Sequence, residues 1–240
     1  MPPLKTQGII LARRDLNEWD RLVTIYTEKL GKVLAKVTSA RKIKSKLSPH
    51  LEPFFCSDLL LAPGKRYYLV ASARIINSYA AIRQDNSLIK VASSIIRLVD
   101  QTTKEKTVDP FVFQFLNKSL SYLANGRIKP SWLALIFAWK LISHLGYKPE
   151  LTKCLGCNKK AQPSDNYFSI NQGGLVCSAC RQSAREYFKL SNDSLKILRK
   201  IQEAKLDYLA KLKLPLPVII QLNSLTKQFV NYHLEKSAQI

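Results

Sequence analysis

Acidic residues are scarce in this 240-residue sequence: 17 Asp and Glu stand against 38 Lys and Arg, a formal charge of +21. Such a field favours polyanions. The excess is not confined to a detachable tail, because residues 1–80, 81–150 and 151–240 carry +8, +5 and +8. A folded surface that is positive throughout suits nucleic acid, where each neutralised phosphate releases condensed counterions. Long hydrophobic runs are also missing. The most apolar stretch, Trp132 to Trp139, stops at Lys140, well short of the roughly 20 residues of a bilayer span, which makes an anionic membrane the weaker partner. No apolar signal-peptide region follows Met1 to Lys5, so the chain is expected in the cytosol. There is no internal repeat, no low-complexity segment and no Gly-x4-Gly-Lys-Ser/Thr loop to cradle phosphates.

Five cysteines are present, and four of them carry the most specific pattern in the chain. Cys154-Leu155-Gly156-Cys157 is followed after nineteen residues by Cys177-Ser178-Ala179-Cys180. Two residues between ligands let one tight knuckle present both sulfurs to one ion, and two knuckles complete a tetrahedral zinc cage. With all four positions filled by protein sulfur, one Zn²⁺ per chain staples the fold and has no open position for catalysis. A disulfide framework or a redox pair is the competing reading, and a reducing cytosol argues against both. Cys56, inside the apolar run Phe54 to Leu61, reads as a buried, inert thiol.

The fold class expected is α+β. Segments Lys5 to Arg14, Arg21 to Thr27, Lys32 to Thr38, Phe54 to Leu61 and Arg66 to Ser78 read as strands. Lys29 to Lys32 and Ala62 to Lys65 read as hairpin turns in which glycine takes positive φ. Five strands in residues 1–80 suggest a five-stranded oligonucleotide-binding (OB) barrel. From Asp85 the period becomes helical, with Asp109 and Ser131 expected to cap two helices, and Asp193 to Lys205 and Val218 to Glu235 forming others. Residues 81–240 are therefore expected to be a mostly helical domain with a zinc finger inserted at about 150–182.

Several segments together resemble the bacterial recombination mediator family RecO. Gly8 to Leu11 followed by Asn17-Glu18-Trp19-Asp20-Arg21-Leu22-Val23 is similar to its first strand and Glu-containing turn. Ser39 to Leu47, running to Leu51-Glu52-Pro53-Phe54, resembles its basic segment. Leu145-Gly146-Tyr147-Lys148-Pro149 before Cys154, and Phe168 with Gly173 to Cys177, resemble its zinc-bearing members. Ser39 and Asn158 stand where that family usually has glycine. The resemblance implies a DNA-repair protein that binds single- and double-stranded DNA and anneals complementary strands without catalysis. It further implies that, with RecR and single-stranded-DNA-binding protein (SSB), the chain helps RecA onto gapped DNA at the nucleoid.

Candidate DNA contacts follow from charge. Arg41, Lys42, Lys44 and Lys46 form the densest basic run, expected as an extended loop along a phosphate backbone, with Arg21 and Arg74 continuing the track. Lys65, Arg66, Tyr67 and Tyr68 offer cations and stacking rings at a hairpin tip, where strand alternation allows one tyrosine outward. Arg13 and Arg14 are further candidates, one of them able to pair with Asp15, Glu18 or Asp20. Arg127, Lys129 and Lys140, near Trp132 and Trp139, are candidates for edging a groove for SSB's acidic tail, against the competing reading of a core helix with a charged edge. Two other functions compete: a zinc-ribbon nuclease or topoisomerase-like enzyme, and an RNA- or transcription-associated OB factor. The first needs converging carboxylates, and the only tight cluster is Asp15, Glu18 and Asp20. His50, His144 and His233 are scattered.

Overall fold

The computed structural model describes residues 2–163, 165–183 and 186–237. It divides into two compact units, 1–127 and 128–240.

In the first unit, β1 (Leu4–Asp15), β2 (Arg21–Thr27), β3 (Gly31–Val37), β4 (Cys56–Ala62) and β5 (Tyr68–Asn77) close into a barrel of order β1-β2-β3-β5-β4. The long first strand is shared. Its beginning pairs with β4, from Leu4↔Leu61 to Ile9↔Cys56, and its end pairs with β2 as far as Asp15↔Arg21. A register shift between Ile10 and Ala12 lets β1 turn that corner. Parallel pairing of Ala35 with Tyr68 and Lys36 with Leu69 completes the closure. Strict alternation in β3 sends Val33, Ala35 and Val37 inward with Ile10, Val23, Ile25, Leu59, Leu61 and Val70, which fill the interior with branched side chains. This is the OB barrel expected from the strand pattern.

The two hairpin glycines differ. Gly31 has φ +65, as the turn between β2 and β3 requires, and a Cβ there would lie 2.0 Å from the Thr107 carbonyl oxygen. Gly64 does not take positive φ, contrary to expectation; it is needed because a Cβ would lie 2.3 Å from the Tyr67 carbonyl oxygen.

Three helices belong to the same unit: α1 (Ala80–Gln84), α2 (Asn86–Thr102) and α3 (Pro110–Ala124). Asp85 caps α2 by accepting from Ser87 N–H at 2.7 Å, and the helix buries Ala92, Ile95, Ile96, Leu98 and Val99. Asp109 caps α3 as expected, accepting from Phe111 and Val112 N–H at 3.0 and 3.3 Å, with Pro110 in its first turn. Lys32 of β3 pairs with Asp100 of α2 at 3.3 Å.

The second unit is built around α4 (Pro130–Ile142), in which nine residues are buried. A helix apolar on every side is a central one, which accounts for the run Trp132 to Trp139. Trp132 donates its indole N–H to the Leu209 carbonyl at 2.8 Å and Trp139 to Thr226 Oγ1 at 2.7 Å. Ser131 does not cap α4. The helix starts two residues earlier, with Lys129 as extended N-cap and Pro130 at the first position, where a missing N–H costs nothing. Beyond a turn at 143–147 come β6 (Tyr167–Ser169), β7 (Gly174–Val176) and β8 (Tyr187–Lys189), a small sheet of order β7-β6-β8 that the sequence pattern did not reveal. Then follow α5 (Asn192–Glu203), α6 (Leu206–Leu209) and α7 (Leu216–Ser237). Phe168 of β6 meets Trp139 and Phe229 edge-on at 5.9 and 5.4 Å, and those two rings stack at 4.8 Å. This cluster ties the small sheet to α4 and α7. No helix among the described residues is long and apolar enough to cross a membrane.

Candidate nucleic-acid surface and metal centre

Asp20 organises the end of the barrel where β1 gives way to β2. Its carboxylate accepts from Lys36 at 2.8 Å, from Ser39 N–H at 2.9 Å and from Asn17 Nδ2 at 3.0 Å. These contacts, the Lys36 bond first, hold its pKa at about 2, below the ordinary 3.8. The Asn17 side chain also accepts from Trp19 and Asp20 N–H, closing residues 16–20 into a rigid Asx turn. One buried carboxylate therefore locks the β1–β2 turn to the far end of β3, from which the basic segment departs.

That segment is not extended. Lys42 N–H bonds the Ser39 carbonyl, Ser45 N–H bonds the Lys42 carbonyl at 2.9 Å, and Arg41 N–H reaches across to the Trp19 carbonyl at 3.0 Å. The result is a chain of turns that displays its cations around a tip instead of spacing them along a line. Ser39 has φ 54 and, in the second unit, Asn158 has φ 59. Both positions where glycine was noted as usual thus adopt the left-handed conformation that glycine takes without strain.

Arg41, Lys42, Lys44 and Lys46 are all exposed. Arg41 pairs with Asp15 at 3.4 Å and bonds the Asn17 carbonyl, and Lys42 lies 5.2 Å over the Trp19 ring. Among the described residues, Lys44 and Lys46 have no acidic partner. Arg21 joins this end, bonding Asp15 at 3.1 Å and Ser48 Oγ at 3.2 Å. Arg14, opposite Leu22, is exposed nearby. Arg13 pairs with Glu52, which also holds Arg83 at 3.3 Å, and not with an acid of the adjoining turn. Such a pairing across 39 residues is invisible to sequence reading.

Other candidates lie on β4 and β5. Lys65, Arg66, Tyr67 and Tyr68 lie in the β4–β5 turn and at the start of β5, which pairs with β3 at Ala35↔Tyr68 and Lys36↔Leu69, one strand from the Lys36–Asp20 bond. Tyr68 packs against the core while the Arg66 guanidinium covers the Tyr67 ring at 5.2 Å, so the alternation expected of these neighbours holds. Arg74 sits opposite Asp58, which Lys5 also contacts at 3.3 Å. It does not adjoin the Arg41 tip. Asp15 and Asp20 are each committed to cations, the arrangement of a structural cluster. Lys129 and Lys140 are at opposite ends of α4, about 16 Å apart at 1.5 Å per residue, and so cannot edge one small groove. Burial lowers the Lys140 pKa. Arg127 lies over the Tyr122 ring at 5.5 Å.

The sulfurs of Cys154, Cys157, Cys177 and Cys180 all lie within 4.8 Å of one another. Cys157 and Cys177 Sγ are 3.9 Å apart, close to the edge of about 3.8 Å that four bonds of about 2.3 Å to a tetrahedral ion require. Both knuckles close by backbone bonds. Asn158 N–H reaches the Cys154 carbonyl at 2.9 Å, and Cys180 N–H reaches the Cys177 carbonyl at 3.1 Å. The first knuckle is stitched to β7 through Leu155 N–H and the Leu175 carbonyl at 2.8 Å. Gly156 permits the approach of the second, since a Cβ there would lie 2.9 Å from Cys180 Sγ. Burial opposes ionisation of Cys154, but the N–H groups of Cys157, Cys177 and Gly156 outweigh it and bring the thiol to about 6. Hydrogen bonding to Cys177, with desolvation, pushes Cys180 up to about 12. A central divalent cation relieves this conflict by letting all four ionise, so the donor set fits a metal ion. Cys56 stands apart, buried, with burial raising its thiol to about 11.

The chain joins an OB barrel with a basic tip to a helical unit whose four cysteines could hold a metal ion. The family model "Recombination protein O N terminal" matches residues 1–79, and "Recombination protein O C terminal" matches 83–239. The chain belongs to the RecO family of DNA repair and recombination proteins. It is 33% identical over 232 residues to DNA repair protein RecO of Dehalococcoides mccartyi (strain CBDB1), covering 97% of this chain and 91% of that one. It is also 28% identical over 233 residues to DNA repair protein RecO of Alkaliphilus metalliredigens (strain QYMF), covering 97% and 94%.

Proposed function

We propose that this protein is a non-catalytic recombination mediator. It binds single- and double-stranded DNA and anneals complementary strands. With RecR and SSB it helps RecA load on gapped DNA in the cytoplasm. The observation that carries the reading is the tip at which Arg41, Lys42, Lys44 and Lys46 project from turns locked by Asp20, in a chain of net charge +21. Two DNA strands repel each other; a positive scaffold screens that repulsion while contacts to backbone alone leave base edges free to pair. Residues 1–80 act as the DNA-binding domain, and residues 81–240 form the helical domain whose cysteines hold one structural Zn²⁺.

For SSB's acidic tail, the arrangement best suited is a cleft of about 360 Å³ in the second unit, with Lys196, Arg199, Lys200 and Lys213 around Ile197, Leu214 and Val218. It replaces the set Arg127, Lys129 and Lys140. The test is annealing of SSB-coated complementary strands, without nucleotide, by the unaltered protein and by a variant with Arg41, Lys42, Lys44 and Lys46 all changed to Ala. The unaltered protein anneals and the variant does not. Retained activity in the variant contradicts the site, and inactivity of both contradicts the mediator reading.

A further inference from the structure

The basic tip carries an apolar group that a purely electrostatic surface does not need. Trp19 is 49% exposed, Leu16 37% and Ile43 fully so, on the two turns that Asp20 holds together. Trp19 is fixed in place: its N–H bonds Asn17 Oδ1 at 3.0 Å, and its carbonyl accepts from Arg41 N–H at 3.0 Å. Lys42 sits over its ring at 5.2 Å, and Arg41, Lys44 and Lys46 are exposed on the same basic segment. The other two tryptophans are 3% and 2% exposed with their indole N–H groups bonded inside the second unit.

We infer that Trp19 is a stacking platform for unpaired bases, selecting single-stranded over duplex DNA at the barrel tip. An aromatic face takes any base, which suits a protein that must not prefer a sequence. Because the turn is already ordered, stacking spends little conformational entropy. The cation over the ring can transfer to a neighbouring phosphate as a base slides onto the indole. Duplex bases have their faces occupied by neighbours, so only single strands or frayed ends use the platform. The inference rests on the DNA-binding reading above and adds to it the residue that distinguishes the two forms of DNA.

Intrinsic fluorescence of the full chain provides the test. Titration with oligo(dT) should quench emission of the unaltered protein and leave Trp19→Phe unchanged in emission while it binds nearly as tightly. Trp19→Ala should lose about ten-fold in affinity for oligo(dT), with duplex affinity unchanged and the melting temperature preserved. If the unaltered protein binds oligo(dT) with no quenching, or if Trp19→Ala binds both DNAs as before, the inference is overturned and the DNA reading stands. Equal loss on single strands and duplex would also overturn it, because Trp19 would then merely hold the cations in place. No binding of either DNA by the unaltered protein would overturn the DNA reading together with the inference.

Discussion

At the scale of single residues, Asp20 has the most consequence for its size. It is 7% exposed and serves three donors through both oxygens, so replacing it by Asn removes the charge and turns an amide NH2 toward donors that one of those oxygens had served. Asp20→Asn is expected to cost about 1.5–3 kcal/mol, the range for hydrogen bonds to a charged group. The sign of its pH dependence follows from a folded pKa of about 2 against an ordinary 3.8. Its stabilisation is complete above about pH 4 and is lost as pH falls toward 2, because the unfolded chain takes up the proton first. Thermal melting from pH 6 to 2.5 checks this: Asp20→Asn should melt lower at pH 6 and converge toward the unaltered protein as the solution is acidified. Parallel curves would show that Asp20 stores no such linkage.

At the scale of elements, the two units were legible in the sequence to different degrees. The barrel strands alternate and are punctuated by turns, and every one was readable within a few residues, as was the cap of α3, where Asp109 precedes Pro110. The start of α4 misled because Ser131 has the better capping side chain, yet Pro130 fixes the first helical position ahead of it. Strands β6, β7 and β8 are three residues each, too short for any period to show. The four cysteines were readable because their spacing is local. The partners of Asp20, Arg13 and Arg41 were not, since they come from other elements of the barrel. The cysteine knuckles offer a prediction at this scale. Cys177→Ser, or treatment with a strong chelator, should release one metal per chain and lower the melting temperature, while DNA binding through the barrel survives. Loss of all DNA binding by that substitution would make the metal module the reader instead.

For the whole molecule, charge is the governing quantity. A net +21 without a basic tail means that affinity for DNA should fall steeply with salt, and that the tip should account for a definable part of the slope. The barrel fixes which cations act together. Arg21 and Arg41 share Asp15, and Lys65 and Arg66 precede Tyr68, which pairs with Ala35 next to the Lys36 that bonds Asp20, so the second group lies one strand from the locked turn. The count of cations was plain in the sequence. Which of them lie together required the closure of β3 against β5, a pairing between segments more than thirty residues apart that sets the turn at 65–68 beside the end of β3.

The most direct measurement is the salt dependence of single-stranded DNA binding by the unaltered chain and by the variant with Arg41, Lys42, Lys44 and Lys46 replaced by Ala. Each phosphate contact on a single strand contributes about 0.7 to the slope of log Kobs against log salt, so the variant's slope should be shallower by about 2 to 3. An unchanged slope, with affinity intact, would contradict the assignment of the DNA-binding surface to the Asp20-locked tip.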